Sequence, residues 1–205
     1  MKLSAEIFRS NNEHLSTCVR LYEDIVPKAY CAKLIEFFEE SITFKIDDSR
    51  KQSREMQLID DPRPQAIAYK DLLLDLIYPL GERYEMELYE YFNKNYVPAD
   101  EPLAKKYKTR FRSLQIQKYT PEDKGYPAVH LEAGPDHIKK YLAVILYLNT
   151  IDSDYGGETV FPMCGQAIEP EAGEVAIFPT GIPFYHCGNP SKIDKYIITS
   201  WFEFE

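Results

Sequence analysis

Two stretches, Tyr126-Pro127-Ala128-Val129-His130-Leu131-Glu132 and Lys195-Tyr196-Ile197-Ile198-Thr199-Ser200-Trp201, frame the part of the chain that decides its fold. In the second, Lys195, Thr199 and Trp201 fall on one face at period 2, as on a strand. Between the frames lies Lys140 to Asn149, almost wholly apolar and therefore expected as a central strand. Gly156-Gly157 and Pro170-Glu171-Ala172-Gly173 read as turns, and Val175 to Pro179 as another strand. Just upstream, Phe111 to Tyr119 places Leu114, Ile116 and Lys118 on one face and Gln115, Gln117 and Tyr119 on the other. From about residue 109 onward the texture is thus short strands and turns.

The first half of the chain reads differently. Residues 1–15 are polar and mixed, a lead-in. Val19 to Val26 is expected as a strand, after which Pro27 starts a helix, where a missing N–H does no harm. Cys31, Leu34, Ile35 and Phe38 form its apolar stripe. Residues 42–63 read as strand fragments and loop. A second helical region buries Leu72, Leu73, Leu76, Ile77 and Leu80, and Pro79 with Gly81 should bend or break it. Tyr84, Leu88, Tyr91, Phe92 and Asn95 continue a helical period, with the tyrosines packing helix to sheet. Val97 to Pro102 is a loop. Helices first and about eight short strands after them imply an α+β fold whose strands form an antiparallel sandwich, most simply a jelly roll. The whole of 1–205 is expected as one domain, with 1–108 supplying a strand and supporting helices and 109–205 the core.

A net charge of −9 repels phosphate backbones, which disfavours general nucleic-acid binding. The one basic cluster, Lys105, Lys106, Lys108, Arg110 and Arg112, reads as a solvated strand edge. Cys18, Cys31, Cys164 and Cys187 form no C-x-x-C pair, so reduced thiols and a cytoplasmic location are expected. No run approaches the roughly 18 apolar residues needed to span a bilayer, and no membrane partner is expected.

His130 and Glu132 are two apart, so on a strand one metal could collect both. A third ligand must come from His14 in the lead-in, His137 in a Gly-Pro-Asp-His loop, or His186, while Asp136 competes with Glu132 for the carboxylate place. Two histidines and a carboxylate that leave other positions open are the donor set of non-haem Fe(II) oxygenases.

Residues 115–205 resemble the Fe(II)- and 2-oxoglutarate-dependent dioxygenases, in their prolyl 4-hydroxylase-like branch. The motifs stand in that family's order: His130-x-Glu132, Tyr147-Leu148-Asn149, Gly156 to Pro162, Pro170 with Gly173 and Phe178-Pro179, His186, Lys195 and Trp201. The resemblance implies a double-stranded β-helix of antiparallel strands. It implies His130, Glu132 and His186 as metal ligands and catalytic residues, and Lys195, nine residues past His186, as the cation for the far carboxylate of 2-oxoglutarate. Thr199 would line the same pocket, with Tyr147 ahead of Tyr119 as the phenol against the cosubstrate. Glu132 stands where most relatives carry Asp, and Lys195 where many carry Arg. The implied chemistry is hydroxylation of a C–H bond, with peptidyl proline the leading substrate, using Fe(II), 2-oxoglutarate and O₂, with ascorbate a further candidate, and releasing succinate and CO₂. A protein or peptide partner follows from that. Two other readings remain open at this point: a jelly-roll binding module without iron turnover, and a zinc hydrolase on the same histidines. Asp154 and Tyr155 are candidate rim residues.

Overall fold

The computed structural model describes residues 17–205 apart from 96, 98, 99, 105, 106 and 124. His14, Lys105 and Lys106 therefore lie outside the described residues, as does the whole of the lead-in. In chain order the elements are β1 (Arg20–Tyr22), α1 (Lys28–Glu39), β2 (Phe44–Asp47), β3 (Gln52–Gln57), α2 (Pro64–Asn95), β4 (Thr109–Tyr119), β5 (Tyr126–His130), β6 (Lys140–Tyr147), β7 (Thr159–Phe161), β8 (Gln166–Ile168), β9 (Val175–Pro179), β10 (His186–Gly188) and β11 (Lys195–Phe204). The strands form two antiparallel sheets, one ordered β1-β9-β6-β11-β4-β3-β2 and the other β5-β10-β7-β8. This is the jelly roll of a double-stranded β-helix, with the helices behind the larger sheet.

Alternation along the central strands builds two cores. Leu142, Val144 and Leu146 of β6 and Val175 and Ile177 of β9 join Leu34, Phe38, Leu73, Ile77 and Tyr84 of the helices in one cluster. Ala143, Ile145 and Tyr147 with Ala176 and Phe178 point the other way, against Phe161 and Ile168 of the small sheet. A strand covered on both faces carries no polar alternation, which is why β6 is apolar throughout.

Several elements differ from expectation. The first strand is only three residues long, and the next segment is pinned instead by Ile25 and Val26 N–H groups that donate to the carbonyl of Gly173. Pro27 sits just before α1, with an extended ψ of 133°, and Phe37 rather than Ile35 completes the buried stripe. The polar stretch 42–63 holds a hairpin, β2–β3, which extends the large sheet beyond β4. From Thr109 onward the described residues hold eight strands, β4 to β11, as expected after the helices, while β1, β2 and β3 precede them.

The largest difference is α2, which runs unbroken for 32 residues through Pro79 and Gly81. Proline forfeits one intrahelical hydrogen bond; the buried stripe of Tyr69, Leu73, Ile77, Leu80 and Tyr84 outweighs it. Gly81 does not break the helix. It admits the ring of Phe202, whose Cζ lies 2.2 Å from where a Cβ would stand. Tyr84 donates its hydroxyl to the Cys18 carbonyl at 2.7 Å, so this tyrosine packs helix to sheet as expected.

At the end of α1, Glu39 accepts from Lys118 of β4 (2.8 Å), Tyr196 of β11 (2.7 Å) and Arg54 of β3 (3.1 Å). Burial acts to raise its pKa, but these donors outweigh it and hold the carboxyl down at about 2. One carboxylate thereby ties the helix to three strands. Arg110 and Arg112 of the expected basic cluster both face Glu203 across the sheet. All four cysteines are free, and no helix among the described residues is long and apolar enough to cross a membrane.

Candidate active site

A cavity of about 260 Å³ opens between the sheets, walled by β4, β5, β10, β11 and the chain around residues 130–140. Two strands of the small sheet bring the histidines together. β5 and β10 pair antiparallel with His130 opposite His186, and the imidazole centroids are 4.4 Å apart. Glu132 lies just past the end of β5, with Ala133 N–H bonded to the Thr180 carbonyl at 3.1 Å. Its Oε1 is 3.5 Å from Nε2 of His130 and 3.5 Å from Nε2 of His186. Among the described residues these three form the one cluster of at least three His, Cys, Asp or Glu side chains whose donor atoms converge, all within 4.8 Å.

Each imidazole is set by the same local device. Nδ1 of His130 lies 2.8 Å from the carbonyl of Ala128, and Nδ1 of His186 lies 3.2 Å from that of Phe184, each two residues back. A carbonyl can only accept, so both Nδ1 atoms carry the proton in the neutral rings and both Nε2 atoms present lone pairs. Packing fixes the ring planes: Tyr126 stacks on His130 at 3.8 Å, and Phe161 and Phe178 flank His186 at 5.3 and 4.8 Å. Two bare nitrogens and a carboxylate oxygen facing one point repel one another unless a proton or cation lies between them.

The donor set fits Fe(II). Ligand atoms about 2.1 Å from a common metal stand about 3.0–3.4 Å apart at angles between octahedral and tetrahedral, close to the 3.5 Å that separates Glu132 Oε1 from each Nε2. Burial acts to raise the Glu132 pKa; when His130 and His186 carry a second proton on Nε2, their hydrogen bonds and charge outweigh burial and hold the carboxyl ionised far below its ordinary range. The outer oxygen, Oε2, accepts from the indole N–H of Trp201 at 2.8 Å.

Lys195 opens β11 inside the cavity wall and is buried. Its ammonium donates to the Gly157 carbonyl at 2.6 Å. Burial lowers its pKa to about 8, partly offset by the charge of Glu158. It is thus a cation at neutral pH in a place where a carboxylate gains most from meeting one. The motif around it has a mechanical reading. Gly157 has φ +85°, a left-handed conformation that frees its carbonyl to face Lys195. Glu158 accepts from Asn189, three residues past His186, at 3.0 Å. Asn149 brackets the start of β11 by donating to the Asp194 carbonyl and accepting from Tyr196 N–H, each at 2.8 Å. The Tyr-Leu-Asn and Gly-Gly-Glu-Thr signatures therefore build the seat of Lys195.

Along β11, Lys195, Ile197, Thr199 and Trp201 all face the cavity. Thr199 accepts from Gln117 at 3.1 Å, and Gln117 accepts in turn from the Tyr119 hydroxyl at 2.7 Å. The two tyrosines stand in different surroundings. Tyr119 is in the cavity wall, whereas Tyr147 is fully buried behind Thr159, to which its hydroxyl donates at 2.9 Å. His137 reaches the rim from a short 3₁₀ turn. The side chain of Asp136 lies outside the described residues. Asp154 and Tyr155 do not line the cavity; their carbonyls are occupied by Lys192. Cys187 is buried and pairs across the sheet with Val160, a packing role.

Sequence reasoning missed two wall residues. Lys51, from the β2–β3 hairpin, pairs with buried Glu55 and reaches over Tyr126. Lys140 lies 3.5 Å above the Trp201 ring. Neither carries a sequence signal, since each is a lone lysine brought in by tertiary pairing.

Residues 114–203 match the model of the 2OG-Fe(II) oxygenase superfamily. No curated protein matches the chain. Among solved structures, the fold is similar to a Pseudomonas putida prolyl-4-hydroxylase (TM-score 0.63, 16% identity, covering 93% of this chain and 97% of that one). It is similar as well to a prolyl hydroxylase from Trichoplax adhaerens bound to a hypoxia inducible factor peptide fragment (0.63, 16%, 94% and 90%). A viral collagen prolyl hydroxylase from Paramecium Bursaria Chlorella virus-1, in complex with 2OG, matches at 0.58 with 18% identity, covering 91% and 95%. Residues 114–203 are thus a domain of the 2OG-Fe(II) oxygenase superfamily, a dioxygenase domain dependent on Fe(II), 2-oxoglutarate and O₂, and the fold of the chain is that of the prolyl hydroxylases.

Proposed function

We propose that His130, Glu132 and His186 hold the Fe(II), that Lys195 receives the far carboxylate of 2-oxoglutarate, and that the substrate is a peptide, with proline its leading hydroxylated residue. The observation that carries the reading is the convergence of two Nε2 lone pairs and one carboxylate oxygen at 3.5 Å, beside a buried lysine in the same cavity. When bound, Fe(II) supplies O₂ activation coupled to decarboxylation of 2-oxoglutarate. The chain's own groups orient and exclude: Lys195 fixes one end of the dianion, and Thr199 with the Gln117–Tyr119 network lines its flank. Ile145 and Ile197 keep that end dry. The peptide assignment is supported by the fold shared with prolyl hydroxylases, one of them solved with a peptide fragment. It is also supported by a cavity walled on one side by Lys51 of the β2–β3 hairpin and by Gly125 and Tyr126.

The test is turnover of the purified protein with Fe(II), 2-oxoglutarate and a panel of proline-containing peptides. Succinate and a peptide heavier by one oxygen atom are expected, and neither from His186→Ala. Succinate released with every peptide unmodified would overturn the peptide assignment and leave the dioxygenase chemistry standing.

A further inference from the structure

Glu132 occupies a place that a shorter carboxylate would fill with fewer rotatable bonds. A free glutamate has an extra torsion to sample, and it could turn either oxygen, or both, toward the histidines. In this chain one oxygen is already spoken for. Oε2 accepts from Trp201 at 2.8 Å while Oε1 faces both Nε2 atoms.

The strand that carries the indole is fixed on both edges, and a cation covers the ring. β11 pairs with β4 on one side and β6 on the other. Opposite Ser200 the β4 strand bulges, with Ser113 at φ +67°, and the Ser200 hydroxyl donates to the Arg112 and Ser113 carbonyls at 2.9 and 2.5 Å. Lys140 caps the ring face at 3.5 Å, a cation–π contact that adds positive charge beside the Glu132 carboxylate.

Resting on the metal triad proposed above, we infer that Trp201 is a positioning residue: its N–H binds the outer oxygen of Glu132, so that the longer carboxylate presents a single, fixed oxygen to the metal. Groups that orient metal ligands typically contribute about 10- to 100-fold in metal affinity.

The experiment is a double-substitution cycle on the full chain. Mn(II) binding is measured by the electron paramagnetic resonance signal of the free ion, alongside thermal melting without metal. Trp201→Phe keeps the ring and loses the donor; it is expected to weaken Mn(II) binding about 10- to 100-fold with little change in melting. Glu132→Asp cannot reach both partners and is expected to weaken binding in the wild-type background. It should cost no more than about twofold once Trp201 is Phe, because the bond it breaks is already gone. Binding by Trp201→Phe equal to wild type, or costs that simply add, would overturn the inference.

A second readout does not depend on the folding of Trp201→Phe. Trp201 is the single tryptophan of the chain, so its emission should change in metal-free Glu132→Asp; an unchanged spectrum counts against the contact. Failure of the underlying reading looks different. If wild type does not take up Mn(II), or His186→Ala binds it equally well, the triad itself is wrong. If His186→Ala abolishes binding and Trp201→Phe does not, only the role of Trp201 falls.

Discussion

The two faces of β11 carry opposite duties. On one face Tyr196, Ile198 and Phe202 enter the core against α1 and α2. On the other Lys195, Ile197, Thr199 and Trp201 line the cavity. The helix-side face gains free energy by excluding water from apolar surface. The cavity side contains a buried cation and hydrogen-bonded groups that cost free energy to bury and are aimed at something absent from the chain. A strand can do both only because successive side chains point to opposite faces. Stability and function can therefore be changed separately by neighbouring residues.

Three substitutions test that division, in descending order of effect. Phe202→Ala removes a ring that packs against Phe111, Tyr78 and Gly81. It should cost about 3–5 kcal/mol of stability, read as a lower denaturant midpoint, while Mn(II) affinity below the transition stays as in wild type. Loss of metal affinity in step with stability would break the comparison.

Lys195→Met is its mirror. Removing one partner of a buried charge pair costs about 2–5 kcal/mol, so 2-oxoglutarate affinity should fall at least about 30-fold. The unliganded fold, relieved of a buried cation, should be unchanged or more stable. The pH behaviour follows the same sign. The folded pKa, about 8, lies below the ordinary 10.5, so between those values the unfolded chain binds more protons and this group's contribution to stability rises with pH. Over the same window the cation is lost and 2-oxoglutarate binding should weaken. Calorimetry of cosubstrate binding from pH 7 to 9, compared in wild type and Lys195→Met, reads this directly; a pH-independent wild-type affinity would count against Lys195 as the anchor.

Gly81→Ala sharpens the helix side with a single methyl group. The Cβ would overlap the Phe202 ring, and the expected loss is about 1–3 kcal/mol. Because the same change in an exposed helix would stabilise, a higher melting temperature would show that the ring moves aside freely.

The candidate site was more legible than the frame that carries it. His130 and Glu132 were legible because β strands place residues two apart on one face, and His186 because the chain has few histidines; Lys195 was legible only through the family's motif order. The Leu114–Ile116 and Gln115–Gln117–Tyr119 division of β4 was legible from the same two-residue spacing. The β2–β3 hairpin was not, since an edge hairpin with one polar face carries little periodicity. Nor was the continuity of α2, because Pro79 is a local penalty and the compensating contacts come from a strand more than a hundred residues away.

By itself, then, the sequence determined the alternation of β4 and β11, the apolar runs of β6 and β9, the kinds of ligand available, and the turn glycines beside Lys195. Those properties are local, fixed by side-chain chemistry and by backbone geometry over a few residues. Only the tertiary structure decided that His130 stands opposite His186, that Tyr119 and not Tyr147 reaches the cavity, and that Trp201, under Lys140, holds the outer oxygen of Glu132. These outcomes depend on register and sheet order, which are set by the sum of packing across the two cores and leave no mark on any one stretch of chain.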